Sequence, residues 1–342
     1  MLCLEILVSS QALVECLSFL FGVLLISSPF CIGSLKFENR LIQGPLAGVS
    51  AAPFRRLFYQ FLPPAYTVTE MLSAQEVLTR HDANSRYLYR APEEKYLCYQ
   101  LAGRDPMMMA DAAFKLQEMG ADLIDINCGC PKIKIRKKGA GSALMDDPER
   151  LLKIVSDVRQ KISIPLTVKL RIYGSPKDIM LANMLQDAGV DALIIHGRRW
   201  TDDYDKPCDF EQIKLIKQHV RLPVIGNGDV TDVAILNHAM HESAADAYMI
   251  SRAGCGRPWL YQELLTQTPV QVNVALSLAY FIEHVQYLSE LESEYQAVIQ
   301  SRKFVRYYFR HVLNSSQLER FYKLTTFEHV KQYLIQETSC LD

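Results

Sequence analysis

Neither sign of charge prevails in this chain: 37 lysines and arginines stand against 38 aspartates and glutamates, a formal net charge of -1 over 342 residues. That balance excludes a protein that coats nucleic acid through bulk charge and confines any polyanion partner to local basic patches. A run long enough to cross a membrane is also missing. The most apolar stretch, Leu17 to Ile32, is uncharged but only 16 residues long, against the roughly 20 that a spanning helix needs. Glu5 and Glu15 are the only charged residues before Lys36, so the positive charge that opens a secretory signal is absent as well. Residues 1–35 read as an apolar extension unlike the rest, with a misassigned start, an anchoring segment or a signal as the readings open to it.

Disulfide and metal spacings are lacking too. The nine cysteines are odd in number and irregularly placed, which points to free thiols in a reducing compartment, the cytoplasm. Cys128-x-Cys130 has no second Cys or His pair at workable spacing, so no metal is expected. No G-x-G-x-x-G follows the first strand-like run, which argues against an open dinucleotide-binding sheet.

What is present is a repeating alternation within a 49% hydrophobic chain, enough to bury a large core. Short apolar runs begin at Leu41, Tyr66, Tyr96, Asp122, Pro165, Asp191, Leu222 and Asp246. Amphipathic segments lie between them, among them Met107 to Met119, Pro148 to Lys161, Asp178 to Ala188, Phe210 to Gln218 and Asp232 to Met240. Eight such units predict a (β/α)8 TIM barrel over residues 36–265. From about Val272 the pattern is helical only, predicting a smaller all-helical C-terminal domain over 270–342.

In such barrels chemistry gathers where the strands end. The ends are "GPLAG", Glu70, Gln100, Asn127 with Cys130, Lys169 with Arg171, His196 with Arg198, Asn227-Gly228-Asp229 and Ser251-Arg252. The last two suit a phosphate: glycines admit backbone amides close to a ligand, and Arg252 adds a guanidinium. Lys169, on an otherwise buried strand, needs an anion, a neutral form or a nucleophile's role. It can form a Schiff base, as in aldolases, or face the carbonyl edge of a flavin. Gln100 can bond a heterocycle's carbonyl and N–H together, and Glu70 is a weaker candidate. A rim thiol beside Pro131 is mostly protonated at neutral pH and can give a proton to a developing carbanion.

Assembled in order, "PLAGVSAAPFRRLF", "QLAG", "DINCGCPKIKIRKKGAGSAL", "TVKLR", "IIHGR", "PVIGNGDVTD" and "AYMISRAGCGRPWLYQE" resemble the tRNA-dihydrouridine synthases over about Leu35 to Glu263. The wording "RKKGAGSAL" and "GRPWL" is most like the bacterial B-type subgroup. The resemblance implies FMN at Pro45, Leu46, Ala47, Gln100, Lys169, His196, Asn227, Gly228, Asp229, Ser251 and Arg252, with NADPH as reductant. It implies Cys130 as proton donor and Asn127 against the uracil. The implied reaction reduces the C5=C6 bond of a D-loop uridine in tRNA; the rival readings are an FMN barrel acting on a small molecule such as dihydroorotate, and a Schiff-base aldolase on Lys169. Three departures stand out. The usual alanine and methionine around the first proline are Gly44 and Leu46 here, the usual glycine before the phosphate-binding arginine is Ser251, and "HGRRW" replaces the common "HGRT".

A stacked uridine must be turned out of folded tRNA to enter such a site, and two basic patches suit that partner. Lys132, Lys134, Arg136, Lys137 and Lys138 border Cys130, with Lys132, Arg136 and Lys137 as phosphate contacts. Arg302, Arg306 and Arg310 are spaced i, i+4, i+8, predicting one basic helix face with Phe304, Tyr307, Tyr308 and Phe309 interleaved. "GAGSAL" reads as a flexible loop leading into the next helix, Cys128 as packing, and the protein as a monomer.

Overall fold

The computed structural model describes residues 25–339; the apolar stretch before residue 25 lies outside them. Two short antiparallel strands come first, β1 (Phe30–Ile32) and β2 (Leu35–Phe37). The parallel strands follow: β3 (Leu41–Gln43), β4 (Tyr66–Val68), β5 (Leu72–Ser73), β6 (Leu97–Ala102), β7 (Leu123–Cys128), β8 (Leu166–Arg171), β9 (Ala192–His196), β10 (Val224–Asn227) and β11 (Ala247–Ile250). Neighbours run β4-β3-β11-β10-β9-β8-β7-β6, and pairing of β4 with β6 closes the ring. β5 is a two-residue pairing with the far end of β6. The eight runs expected from alternation are the eight staves of a TIM barrel.

Its helices begin on recognisable signals. Asp105, Asp147, Asp209 and Asp232 each accept a hydrogen bond from a backbone N–H three residues on, capping Pro106–Glu118, Pro148–Lys161, Phe210–His219 and Val233–Ser243. A carboxylate there satisfies an orphan donor and complements the helix dipole. Strand residues alternate accordingly. On β7, Ile124, Ile126 and Cys128 pack outward with the helices, whereas Leu123 belongs to the barrel interior. Cys128 is thus a packing residue on the face opposite Asn127, as expected.

The lower interior is apolar: Ile42, Tyr66, Val68, Cys98, Leu123, Ile194, Ile225 and Met249 fill it. The β1–β2 hairpin closes this end from below, with Phe30, Ile32 and Phe37 in the same cluster and the Phe37 ring 5.1 Å from that of Tyr66. Packing with the barrel therefore begins before the boundary expected at residue 36; Phe30 and Ile32 look like part of an apolar leader in sequence because strands this short carry little periodic signal.

Beyond the barrel, Val274–Leu291, Glu294–Ser301, Ser315–Phe321 and Phe327–Thr338 pack around Phe281, Phe304, Phe309 and Phe321. Arg56 ties this helical part to the barrel, pairing with Glu290 at 2.6 Å and lying 3.7 Å over the Tyr287 ring. Among the described residues no helix is long and apolar enough to cross a membrane.

Candidate active site

Above the apolar floor the barrel interior turns polar, and the change follows strand by strand from the two-residue period. Asp125 and Asn127 continue the inward face of β7 begun by Leu123; Thr167 and Lys169 occupy the adjacent positions of β8, in register with Asp125 and Asn127. Gln100 on β6, His196 on β9 and Asn227 on β10 complete the layer. Lys169 is buried, and its ammonium donates to Asn227 Oδ1 at 2.7 Å. Burial pushes its pKa down and the carboxylate of Asp125 opposes the shift. Burial likewise raises Asp125, against hydrogen bonds from Thr167 and Gln100 and the charge of Lys169. His196 is held neutral, its pKa pushed down to about 2 by burial and then by the positive charges of Lys169, Arg171, Arg198 and Arg252.

The segment after β7 is braced on every side. The Asn127 side-chain oxygen accepts from the N–H of Cys130 at 3.0 Å and of Gly129 at 3.3 Å. Arg171 Nε donates to the Gly129 carbonyl, and another arm of the same guanidinium donates to the Arg199 carbonyl. Ser142 donates to the Cys130 carbonyl from both its N–H (3.1 Å) and its hydroxyl (3.0 Å). "GAGSAL" is therefore not a flexible loop. Ser142 and Leu144 are fully buried in a turn, Gly141–Asp146, that backs the cysteine. Gly141 has φ +63, and a Cβ there would come 2.8 Å from the Cys130 carbonyl oxygen, so only glycine lets the brace approach. Cys130 itself is partly exposed, whereas Cys128 is buried.

Arg136 also departs from a simple phosphate contact. It bonds Ser142 Oγ and Asp146, and its guanidinium lies 3.6 Å from the Trp200 ring. Lys132 and Lys137 are exposed. Of the phosphate candidates, Arg252 is exposed and stacks 3.9 Å over Tyr204. Asp229, at φ 54, turns its carboxylate to Arg198 (2.6 Å) and the Cys208 N–H. Gly228 has φ +133, a conformation that favours glycine. Pro45, Leu46 and Ala47 form the rim after β3, where Ser50 Oγ accepts from the Leu46 N–H. Glu70 accepts from the Gly48 N–H and from Arg86, so it steadies that rim.

The expected helix through Arg302, Arg306 and Arg310 does not form. Glu294–Ser301 ends before Arg302, a separate turn covers Val305–Tyr308, and Arg310 lies in the turn after it. Arg302 folds inward to the Leu324 carbonyl. The break follows from burial: Phe304, Tyr308 and Phe309 all enter the core, which one straight helix with that spacing cannot accommodate while keeping three arginines outward. Arg306 and Arg310 remain exposed, and with Arg252 their charges all act on the buried thiol of Cys255.

Two residues went unsingled in the sequence. Asp125 carries its signal in the alternation of "DLIDIN". Ser142 sits inside a recognised motif, and its partners, like those of Arg171 at the end of its strand, are set by tertiary packing.

Residues 42–340 match the family model described as dihydrouridine synthase. The chain belongs to the dihydrouridine synthase family. The tRNA-dihydrouridine synthase B of Vibrio vulnificus is 34% identical over 301 residues, 84% of this chain and 92% of the relative. That of Escherichia coli K12 is 38% identical over 236 residues, 68% of this chain and 73% of the relative. The expected kinship with the bacterial B-type subgroup is borne out. Among solved structures, morphinone reductase superposes with a TM-score of 0.54 at 13% identity, over 74% of this chain and 92% of that one. A 2-naphthoyl-CoA reductase complex gives 0.57 at 13%, over 72% and 53%. These likenesses concern the barrel fold.

Proposed function

We propose that this family member reduces the C5=C6 bond of a D-loop uridine in tRNA, with FMN seated across the barrel mouth, NADPH as its reductant and Cys130 as proton donor. The observation that carries the reading is the convergence of Lys169, the braced Cys130 and the exposed Arg252 on one polar rim.

The residues present suit FMN. Among the described residues Lys169 has a single hydrogen-bond acceptor, Asn227 Oδ1, so a buried ammonium keeps donors for a ring carbonyl oxygen. Arg252 has no carboxylate within salt-bridge distance among the described residues, which fits a phosphate. Neutral His196 can donate to or accept from the ring edge. Pro45, Leu46, Ala47, Gln100, Gly228 and Ser251 complete the lining, and Asp229 contributes by holding Arg198. FMN supplies the hydride when bound.

The chain's own part is the proton. As negative charge develops at C5 of the uracil, the Cys130 thiol delivers its proton there, from a backbone fixed by Asn127, Arg171 and Ser142. Asn127 borders the uracil from the same strand end. Lys132, Lys137, Arg306 and Arg310 offer phosphate contacts around the mouth, and Arg136 with Trp200 makes its lip. Family membership leaves the Schiff-base reading without support.

Purified protein, FMN, NADPH and an unmodified tRNA transcript test the proposal. Mass spectrometry is expected to show dihydrouridine; a protein that binds no flavin, or that oxidises NADPH against a small pyrimidine and leaves tRNA untouched, sinks it.

A further inference from the structure

We infer that Asp125 is a positioning residue for Cys130, acting through Gln100 and Asn127 as the fixed acceptor end of a buried amide chain. The inference rests on the proposed role of Cys130 and extends it to a residue that touches neither cofactor nor substrate.

The polarity of the chain follows from its two ends. The N–H groups of Gly129 and Cys130 can only donate, so the Asn127 atom facing them is its oxygen. Its amide nitrogen then faces Gln100 and donates to Gln100 Oε1 at 2.8 Å. Gln100 is left with its nitrogen toward β7, where Nε2 donates to Asp125 Oδ2 at 2.7 Å. The group that ends the chain must accept, and a carboxyl oxygen does so. Thr167 Oγ1 donates to its other oxygen at 2.7 Å.

Reversing Asn127 would set N–H against N–H at the cysteine loop, and reversing Gln100 would set N–H against N–H between the two amides and oxygen against oxygen at Asp125. The carboxylate thus selects one of two orientations for two neutral side chains, both nearly sealed from water. Asp125 is itself fully buried, an expensive place for a carboxylate, and no role in the floor or the sheet ladder requires it. Both ends of the Asn127 amide are committed to this chain, which makes the loop's position the output.

Two variants read the inference. Asp125→Val is close in volume and suits a strand, but leaves Gln100 Nε2 without an acceptor. Asp125→Asn can turn its oxygen to Gln100 and its nitrogen to the Thr167 hydroxyl, preserving the chain without the charge. In Asp125→Val, kcat on tRNA is expected to fall roughly tenfold or more, the order of loss a displaced catalytic group produces, with flavin content, NADPH-dependent flavin reduction and KM for tRNA held within about twofold. Iodoacetamide labelling of Cys130, mapped by peptide mass spectrometry on the cofactor-free protein, is expected to change about threefold or more as the loop loses its anchor. Asp125→Asn is expected to restore both readouts to near the wild-type values.

An Asp125→Val protein with normal turnover and labelling overturns the inference. So does one that loses flavin or fold, because the carboxylate then serves the cofactor or the core. An Asp125→Asn protein as impaired as Asp125→Val overturns it as well, since charge rather than acceptor polarity would be operating. Absence of dihydrouridine from the wild type counts against the proposed function alone; the labelling comparison still decides the role of Asp125.

Discussion

Gly44 and Ser251 meet across the rim: a methyl group at position 44 would lie 2.4 Å from the Ser251 hydroxyl oxygen and 2.7 Å from the Met249 side chain. Both positions depart from the wording that the family resemblance leads one to expect, alanine in the first case and glycine in the second. The structure shows that the two departures share one space. The side chain missing from the loop after β3 is matched by one present after β11.

That relation predicts an asymmetric pair of variants. Gly44→Ala alone overpacks the rim and is expected to lower stability by about 1–3 kcal/mol and to weaken FMN retention. Adding Ser251→Gly should recover part of both losses. Urea denaturation and flavin absorbance of the three proteins check it, and a double variant no better than Gly44→Ala removes the shared-space explanation.

Cys130→Ala leaves the braces on the loop backbone intact, since Asn127, Arg171 and Ser142 all bind main-chain atoms there. Flavin content and NADPH oxidation are expected to persist, while dihydrouridine formation falls by about 10²-fold or more. Single-turnover assays on tRNA measure it, and undiminished turnover would end the proton-donor assignment.

Arg306 and Arg310 are exposed, and with Arg252 both act on the Cys255 thiol. Arg306→Glu with Arg310→Glu is expected to weaken tRNA binding and to flatten its log-log salt dependence by roughly one to two units, with flavin unaffected. Arg302 is bonded to the Leu324 carbonyl, so its replacement should perturb the helical part's stability more than RNA affinity. Filter binding across a salt series separates the two outcomes.

Acid should loosen both parts of the molecule. His284, packed 4.4 Å from the Phe304 ring, has its pKa pushed down to about 3 by burial, and His196 falls to about 2 for the reasons given above. Each imidazole takes up its proton in the unfolded chain below pH 6.5 and stays neutral in the folded one until far lower. The unfolded state therefore binds more protons in that window, and stability declines as pH drops from about 6.5 toward 3, by up to about 1.4 kcal/mol per pH unit for each histidine. His284→Phe should flatten the slope between pH 6 and 5; denaturant unfolding at several pH values reads it, and an unchanged slope speaks against the neutral buried imidazole.

The rim after β3 also depends on a sealed ion pair. Arg55, fully buried, bonds both oxygens of Glu94 at 2.6 and 2.9 Å and the Ser50 carbonyl at 2.8 Å. Arg55→Leu strands that carboxylate, with an expected loss of about 3–5 kcal/mol, measurable by chemical denaturation. Glu94→Gln with Arg55→Leu should recover part of it.

The barrel was legible because its evidence is local. Apolar runs such as "DLIDIN" and "PLTVKLR", the amphipathic segments between them, and polar strand ends each carry their signal within a few residues. What escaped depends on neighbours distant in sequence. The helical spacing of Arg302, Arg306 and Arg310 is real, yet Phe304, Tyr308 and Phe309 are drawn into one core and break it. The glycines of "GAGSAL" resemble a loose linker until the Cys130 carbonyl is seen beside Gly141. Asp125 looks like one polar residue in an apolar run, and its purpose appears only when Gln100, 25 positions earlier, stands beside it.

The hairpin under the barrel bears on how this chain can be shortened. Phe30, Ile32 and Phe37 lie against Tyr66, Leu123 and Ile225, so a fragment cut after Phe37 would be a cup without a base, its aromatic interior open to water. Such a fragment would keep every residue of the active-site rim and still be a poor reagent, prone to self-association through the uncovered end. Ile26 is, among the described residues, the first side chain that the core fully encloses, so trimming that reaches it or the hairpin beyond it opens that core.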